Sequence, residues 1–353
     1  MEPRENPELL GQEVAEKALL DGALSGRLAH AWLICGPRGV GKATLAYRFA
    51  RFLLAGEGQE GGLFGDAPAS LALPPSHPVF RRIASGAHPD LRTVARGINP
   101  KTGKMRSEIV IDDIREAVAF LRLTPSEGGW RVVIIDGAED MNRNAANALL
   151  KVLEEPPPRA VLLVVSHAPG RLLPTIRSRC RRLDVRGLPV DMLTALVARR
   201  MPELDEADRQ MIVGLAEGSI GRALTLSGAG GVDLYRDIAQ LLLALPRLDA
   251  SALYRLADKL SRGTADGSFR MAVELLSAWL ARMLKFSATG RGQEFVPGES
   301  ACMRRLSSLR PAKGWMEFIE AMQRDFALVE PLNLDRRQVW VATLLGLQRM
   351  AAG

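Results

Sequence analysis

A glycine-rich loop between a buried strand and a helix constrains the fold of this chain more than any other feature of its sequence. The loop, GPRGVGKA, runs from Gly36 to Ala43, follows the apolar segment Ala31–Cys35 and opens a helix predicted over Lys42–Leu54. Its glycines permit a tight turn whose N–H groups face phosphate oxygens, and the following helix adds its positive N-terminal end. The pattern is that of a phosphate-binding loop, or P-loop. The nucleotide-binding residues that it predicts are Gly36, Pro37, Arg38, Gly39, Val40, Gly41, Lys42, Ala43 and Thr44.

The end of the loop departs from the P-loop pattern. The residue after the lysine is normally a Ser or Thr whose hydroxyl binds a magnesium ion, whereas Ala43 has no side-chain oxygen. Thr44 follows directly, but one helical residue turns a side chain by about 100°. The sequence therefore predicts a nucleotide-type site that has lost part of its catalytic equipment.

A second apolar strand, Arg131–Asp136, supplies the acidic partner that a P-loop requires. We therefore add Asp136 to the predicted nucleotide-binding residues. The next residue would be a Glu that polarises the attacking water, but it is Gly137. Glu139 lies two residues further on, where its side chain is expected to point in a different direction. These residues are compatible with binding of ATP or ADP, but efficient hydrolysis is not expected.

Buried strands alternate with amphipathic helices through the first half of the chain. The strands are predicted at Ala31–Cys35, Arg131–Asp136 and Ala160–Val165, and the helices at Lys42–Leu54, Ile114–Leu121 and Asn142–Glu154. Asp112 or Asp113 is expected to cap the second of these helices. Strands that are apolar throughout are typical of a parallel sheet covered on both faces, so we predict an α/β fold.

Strand signals disappear after Gly187, and the remainder of the chain is predicted to be helical, with a Gly-rich break at Ser227–Gly231. We predict an α/β domain over residues 1–186, a small helical domain over residues 187–230 and an all-α domain over residues 231–353. The tryptophans of the last part are interpreted as packing residues rather than as a platform for stacked bases. These are Trp279, Trp315 and Trp340.

Composition and cysteine usage indicate a basic, cytoplasmic protein. Lys and Arg number 47 against 40 Asp and Glu, a net charge of +7 that is compatible with contact to nucleic acid without demanding it. No signal peptide is visible, and no apolar run approaches the ~18 residues that span a bilayer, so no membrane partner is expected. The cysteines are too far apart in sequence to predict a disulfide framework or a metal pair. They are Cys35, Cys180 and Cys302.

A dense basic cluster surrounds the segment TIRSRC, Thr175–Cys180. It can be a solvated or salt-bridged loop. It can also carry an arginine finger, a planar and permanently charged group that stabilises phosphoryl charge in a neighbouring subunit's site. The arginines of the cluster are Arg177, Arg179, Arg181, Arg182 and Arg186.

The sequence resembles the delta-prime subunits of the bacterial DNA polymerase III clamp loader, a family within the AAA+ superfamily. The resemblance covers about the first 225 residues and is most specific in ALLKVLEEPP and SRC. The matching segments are Leu28–Ala46, His88–Leu91, Ala146–Pro158, Leu172–Leu183 and Gly218–Leu224.

The resemblance implies a RecA-like AAA+ domain with a parallel sheet, a small helical lid and an all-α collar that mediates oligomerisation. Such subunits, delta-prime with gamma/tau ATPase subunits and delta, form a hetero-pentameric ring that loads the sliding clamp onto primed DNA during replication. The resemblance further implies a stator that does not hydrolyse ATP and is itself neither a polymerase nor an active ATPase. It also implies that the SRC arginine, Arg179 here, acts as an arginine finger in the site of an adjoining ATPase subunit.

The chain departs from this family pattern at three places. Many relatives hold zinc through four cysteines, but the insertion Gly56–His88 contains none, so no zinc and no other metal site is predicted. ATPase members have an arginine at the fourth position of GSxR, where this chain has Gly221. Arg222, one residue later, is the remaining candidate for this arginine, which is called sensor 2 and contacts the nucleotide in ATPase members. Lys42 is retained, which keeps nucleotide binding open.

Two other functions remain as alternatives. An ATP-hydrolysing motor subunit of a clamp loader, or another AAA+ ATPase, is favoured by Lys42, Thr44 and Asp136 and opposed by Ala43 and Gly137. A module that binds DNA by itself through its basic surface is supported only by the net charge, because no aromatic and basic residues interleave.

Overall fold

A computed structural model describes residues 2–56, 68–98, 103, 105–127, 129–228, 230–262 and 267–352. Contacts between Cα atoms divide the chain into two compact units. The first comprises Met1–Leu196 with Glu217–Arg222, and the second Val197–Ala216 with Ala223–Gly353. The expected division into three domains remains a prediction.

The first unit is built around a parallel sheet of five strands in its described residues. The strands are β1 (Ala31–Cys35), β2 (Leu91–Val94), β3 (Arg131–Asp136), β4 (Ala160–Ser166) and β5 (Arg181–Asp184). Their order is β2-β3-β4-β1-β5, and every neighbouring pair is parallel. The carboxyl ends of all strands therefore lie at one edge of the sheet, where the loops after β1, β3 and β4 meet.

Fifteen helices occur in the described part of the chain. They are α1 (Glu13–Leu24), α2 (Lys42–Ala55), α3 (Pro78–Ala84), α4 (Ile111–Leu121), α5 (Arg143–Glu154), α6 (Pro174–Arg177), α7 (Val190–Arg200), α8 (Glu206–Ala216), α9 (Ile220–Gly228), α10 (Gly231–Leu243), α11 (Ala250–Arg262), α12 (Gly267–Thr289), α13 (Glu299–Leu309), α14 (Ala312–Val329) and α15 (Arg336–Ala351). Short 3-10 turns follow β3 and β4, at Ala138–Asp140 and Pro169–Arg171.

Successive residues of each central strand enter opposite faces of the sheet, as the two-residue period of a strand requires. Trp32 and Ile34 of β1 belong to the core cluster that includes residues of α1, α2 and α3. Leu33 and Cys35 belong to the cluster that includes residues of α4, α5 and α6. Both faces are covered, which explains why β1 and the interiors of β3 and β4 are apolar. The predicted α/β fold with a parallel sheet is confirmed.

Helix α4 begins earlier than predicted. It starts at Ile111 rather than Ile114, with Val110 at the N-cap position. Asp113 lies inside the first turn, and its carboxylate accepts a hydrogen bond from the Val110 N–H at 3.3 Å. The expectation that Asp112 or Asp113 is the N-cap was wrong, because a carboxylate in the first turn reaches back to the cap.

The second unit is helical in its described residues, as the sequence predicted. Trp279, Trp315 and Trp340 are fully buried in it, so their interpretation as packing residues is confirmed. Glu299 is also fully buried and accepts hydrogen bonds from the Trp279 indole and the Tyr235 hydroxyl. None of the helices in the described part of the chain is both long and apolar enough to cross a membrane.

Candidate functional site

The glycines of the predicted P-loop have backbone conformations that other residues adopt only under strain. Gly36, Gly39 and Gly41 have φ values of +154°, +76° and +99°. A Cβ atom at Gly36 would lie 2.0 Å from the carbonyl oxygen of Val185. Gly41 is the N-cap of α2, so the helix begins directly at the loop. The loop thus has the tight turn and the following helix N-terminus that bind phosphate groups.

Lys42 is held by the loop that precedes it. Its Nζ donates hydrogen bonds to the carbonyl oxygens of Gly36 and Pro37, at 2.7 and 2.5 Å, and the residue is only 6% exposed. Burial lowers the pKa of the Lys42 amine from its ordinary value. An ammonium group has three N–H donors, so two are engaged within the chain and one is left for a phosphate oxygen.

The residues after Lys42 do not restore a hydroxyl where magnesium is expected. Ala43 is half-buried and has no side-chain oxygen, and Thr44 is buried at 8% exposure.

Within the described residues, no group of three or more His, Cys, Asp and Glu side chains is placed to hold a metal ion. His77 caps α3 by accepting from the Val79 N–H. Residues 57–67 of the predicted zinc-free insertion lie outside the described part.

Asp136 ends β3 at the same sheet edge as the P-loop, with Lys42 close enough to affect its titration. Burial raises the pKa of the Asp136 carboxyl, and the positive charge of Lys42 opposes this rise. Gly137 follows with φ +78° and leads into the 3-10 turn that carries Glu139. The structure therefore places the predicted Asp136 beside the loop, while the position of the expected general base remains without a side chain.

Glu139 is bound to a residue that the sequence did not single out. Its side chain is fully buried, and Oε1 accepts hydrogen bonds from Nδ1 of His167 and from the His167 N–H. Oε2 of Glu139 has no hydrogen-bond partner among the described residues. Burial lowers the pKa of His167, while Glu139 opposes that effect. The sequence offered one indication of this contact. His167 directly follows β4 and Glu139 follows β3, and the ends of neighbouring parallel strands lie close together.

The segment Ser219–Arg222 packs directly on the P-loop. The Ser219 hydroxyl donates to the carbonyl oxygen of Arg38 at 2.8 Å, and the Gly221 N–H donates to that of Gly39 at 3.0 Å. A Cβ atom at Gly221 would lie 2.8 Å from the Cα of Gly39. The absence of an arginine at position 221 thus has a steric reason. Arg222 forms an ion pair with Glu217 at 3.6 Å.

Arg179 lies on the turn between α6 and β5. Its guanidinium forms an ion pair with Glu154 at 2.9 Å and donates to the Thr175 carbonyl oxygen at 3.2 Å. The side chain is 36% exposed, and that of Glu154 is 52% exposed. Among the described residues, Arg179 has no hydrogen bond or ion pair with the P-loop. The structure therefore brings Arg38, Lys42, Asp136 and Arg222 to one region and leaves Arg179 on a separate turn.

The other arginines of the cluster differ from Arg179 in their surroundings. The Arg181 guanidinium lies 4.7 Å from the ring centre of Trp32, and Arg182 pairs with Asp184 at 2.9 Å. Arg177 and Arg186 are exposed. Cys180 is buried beside them, and burial raises the pKa of its thiol to about 12, so it stays protonated at neutral pH. The cluster is a mixture of packed, paired and exposed cations.

A family model described as "DNA polymerase III, delta subunit" matches residues 11–189, slightly more than half of the chain. The match covers the P-loop, the five strands and the turn that carries Arg179. A relative from Pseudomonas aeruginosa, DNA polymerase III subunit delta', is 38% identical over 212 residues, which are 59% of this chain and 59% of that protein. DNA polymerase III subunit tau of Escherichia coli is 30% identical over 229 residues, 64% of this chain and 33% of tau. The matched segments thus span less than two thirds of these relatives, 59% and 33% of their length.

Among solved structures, a gamma-subunit-related protein of Thermotoga maritima is similar at 20% identity and a TM-score of 0.44, over 94% of this chain and 99% of that one. A likeness at this level carries no argument about function. The family match instead rests on the half of the chain that contains the sheet and its loops. The chain therefore belongs to the DNA polymerase III delta subunit family.

Proposed function

We propose that the chain is a delta-prime-type subunit of a DNA polymerase III clamp loader, which helps to load the sliding clamp onto primed DNA. In this proposal it does not hydrolyse ATP and donates Arg179 to the ATP site of a neighbouring subunit. Its partners are gamma/tau-type and delta-type subunits in a hetero-pentameric ring, in the cytoplasm. The name of the Pseudomonas relative supports the subunit type.

The observation that carries the arginine-finger assignment is the exposure of Arg179 on a turn with a weak internal partner. Its ion pair joins two side chains that are 36% and 52% exposed. Pairs of this kind contribute about 0–1 kcal/mol, so a phosphate in another subunit can displace Glu154 at small cost. The guanidinium offers a planar fork of donors, which suits phosphoryl oxygens.

The chain's own P-loop supports the non-hydrolysing part of the proposal. Ala43 offers no hydroxyl for magnesium, and Gly137 offers no base for the attacking water. Glu139, the nearest carboxylate in sequence that could act as a base, is fully buried against His167. Lys42 retains one N–H for a phosphate group. We therefore propose a passive pocket that binds ATP or ADP without magnesium-dependent turnover.

The test of the finger is Arg179→Ala in the complete complex of gamma/tau, delta and this chain with clamp and primed DNA. An arginine finger is worth on the order of 10³-fold in turnover at the site it serves. We expect DNA-dependent ATP hydrolysis at the neighbouring site to fall by about that factor, while size-exclusion chromatography shows the complex intact. Arg177→Ala, at the last residue of α6 and two positions away, is the matched control. Equal turnover in the Arg179→Ala and control complexes would exclude the assignment.

The same preparation separates the stator from the motor alternative. The isolated chain should bind ATP in an equilibrium titration and show no hydrolysis above background. Lys42→Ala should abolish that binding and leave turnover by the assembled complex unchanged. Hydrolysis by the isolated chain that disappears in Lys42→Ala would instead establish it as an ATPase.

A further inference from the structure

A second pocket lies in the first unit, among residues that the P-loop does not include. It has a volume of about 280 Å³. Its lining comes from four segments, namely the N-terminal segment, α2, α3 with the turn after it, and β2. The lining residues are Arg4, Tyr47, Ile83, Gly86, His88, Leu91, Arg92 and Thr93. A phosphate-sized molecule fits this volume with room for a small substituent.

The lining of this pocket includes a buried histidine with an unused donor. His88 is 5% exposed, and its Nδ1 accepts a hydrogen bond from the Asp90 N–H at 3.2 Å. In a neutral imidazole the other nitrogen then carries the proton. Nε2 of His88 is buried and has no hydrogen-bond partner among the described residues. A buried donor without an acceptor is energetically unfavourable, and a bound acceptor would relieve that cost.

The charged groups near His88 do not supply that acceptor. Asp90 accepts from the Ser126 and Glu127 N–H groups, at 2.9 and 3.2 Å. Glu127 is paired with Arg82. Burial lowers the pKa of His88, and the Arg82 charge adds to this, so the ring is neutral at pH 7 and its Nε2–H is available as a donor.

The remainder of the lining favours an anion. Arg4 and Arg92 contribute two positive charges, and none of the lining residues is acidic. Their carboxylate partners lie outside the lining and are exposed, namely Glu2 and Glu5 for Arg4 and Glu116 for Arg92. Such exposed ion pairs contribute little to stability, so another anion can readily replace the carboxylate. Tyr47 and Thr93 add hydroxyl groups, which bond to each other at 2.9 Å.

We propose that this pocket is a phosphate-binding site separate from the P-loop, in which His88 Nε2–H, Arg4 and Arg92 donate to one phosphate group. A tetrahedral oxyanion presents oxygens to donors that come from three segments, whereas a planar carboxylate presents only two. The phosphate can be free or the end of a small phosphate monoester. The site is independent of the clamp-loader role and of the P-loop.

The test uses the full-length Lys42→Ala variant, in which the P-loop has lost its phosphate anchor. Inorganic phosphate, and separately glycerol phosphate, are titrated at constant ionic strength and pH 7.5 while imidazole nitrogens are followed by NMR. We expect a saturable shift of His88 Nε2, assigned through His88→Gln, with no such shift at His30 or His77. Saturation by inorganic phosphate indicates a free ion, and saturation by glycerol phosphate alone indicates an ester.

Arg92→Gln should weaken the phosphate affinity measured at His88 at least tenfold. Arg115→Gln makes the same charge change on α4, outside the pocket, and should leave that affinity unchanged. The proposal fails if neither phosphate probe shifts His88 saturably, or if Arg92→Gln and Arg115→Gln weaken the affinity equally. His167, beside the P-loop, reports P-loop occupancy in the chain with Lys42 intact, so the two sites are tested separately.

Discussion

Charged side chains are held differently in the P-loop region and on the turn that carries Arg179. In the P-loop region Lys42 is almost fully buried and donates to two carbonyl oxygens of its own loop. Glu139 is fully buried against His167. On the turn, Arg179 and its partner Glu154 are both substantially exposed. Separating buried partners costs several kcal/mol and exposed ones about 0–1 kcal/mol. The charged side chains of the first region bind partners within the chain's own fold. The guanidinium on the turn can exchange its internal partner for an anion on another molecule.

The largest effect that separates the two regions is expected from Arg179→Lys in the assembled complex. Lysine keeps the positive charge but loses the planar fork of donors. We expect turnover at the neighbouring site to fall about 10²-fold or more, against the roughly 10³-fold loss on removal of a finger. Single-turnover ATP hydrolysis measures this loss. Full activity in the lysine variant would mean that Arg179 acts through charge alone.

The second effect concerns the backbone of the P-loop. Gly36→Ala places a Cβ 2.0 Å from the Val185 carbonyl oxygen, at a residue with φ +154°. We expect a loss of about 2–4 kcal/mol in the free energy of unfolding, since overpacking and backbone strain add. Urea denaturation measures it. Gly170→Ala, in the turn after β4, meets nothing within 4 Å and is the matched control. Equal losses in both variants would contradict the tight contact at Gly36.

A smaller effect is expected from Glu154→Gln, which weakens the internal partner of Arg179. The free energy of unfolding should change by less than about 1 kcal/mol, because the pair is exposed. Turnover at the neighbouring site should stay at the level of the unaltered complex or rise slightly. A loss comparable to that of Arg179→Ala would show that Glu154 positions the finger.

The smallest effect is a dependence of stability on pH that belongs to the P-loop region. Burial lowers the pKa of His167 below its ordinary value of 6.5, so the unfolded chain binds a proton more readily there. The contribution of His167 to stability is therefore full above about pH 6.5 and is lost as the pH falls through its lower folded pKa. Tm should fall between pH 7.5 and 5.5, and less in His167→Gln. Identical pH profiles would contradict this.

The central strands of the sheet were predictable because burial on both faces makes their interiors continuously apolar. β1 and β3 have the predicted ends, and β4 is longer by one residue. The edge strands β2 and β5 were not predicted as strands. The sequence of β5, RRLD, has one buried residue, so the apolar signal is lost where a strand has one neighbour and a solvated side.

The parts of the site that are local in sequence were predictable, and the contacts between distant segments were not. The P-loop pattern lies within nine residues, and the structure gives it the expected turn and helix. The pairing of Glu139 with His167 and the approach of Gly221 to Gly39 join residues that are far apart in the chain. Such contacts depend on the order of strands in the sheet, which the sequence pattern leaves undetermined.

The composition of β5 has a consequence for how the protein behaves at high concentration. A sheet edge carries unpaired backbone groups that can recruit a strand from another molecule and start aggregation. Only four residues long, β5 exposes Arg181, Arg182 and Asp184. Short length and exposed charge both hinder the pairing of an edge strand with a strand from another molecule. The same arginine-rich segment therefore opposes the addition of a foreign strand at this edge of the sheet.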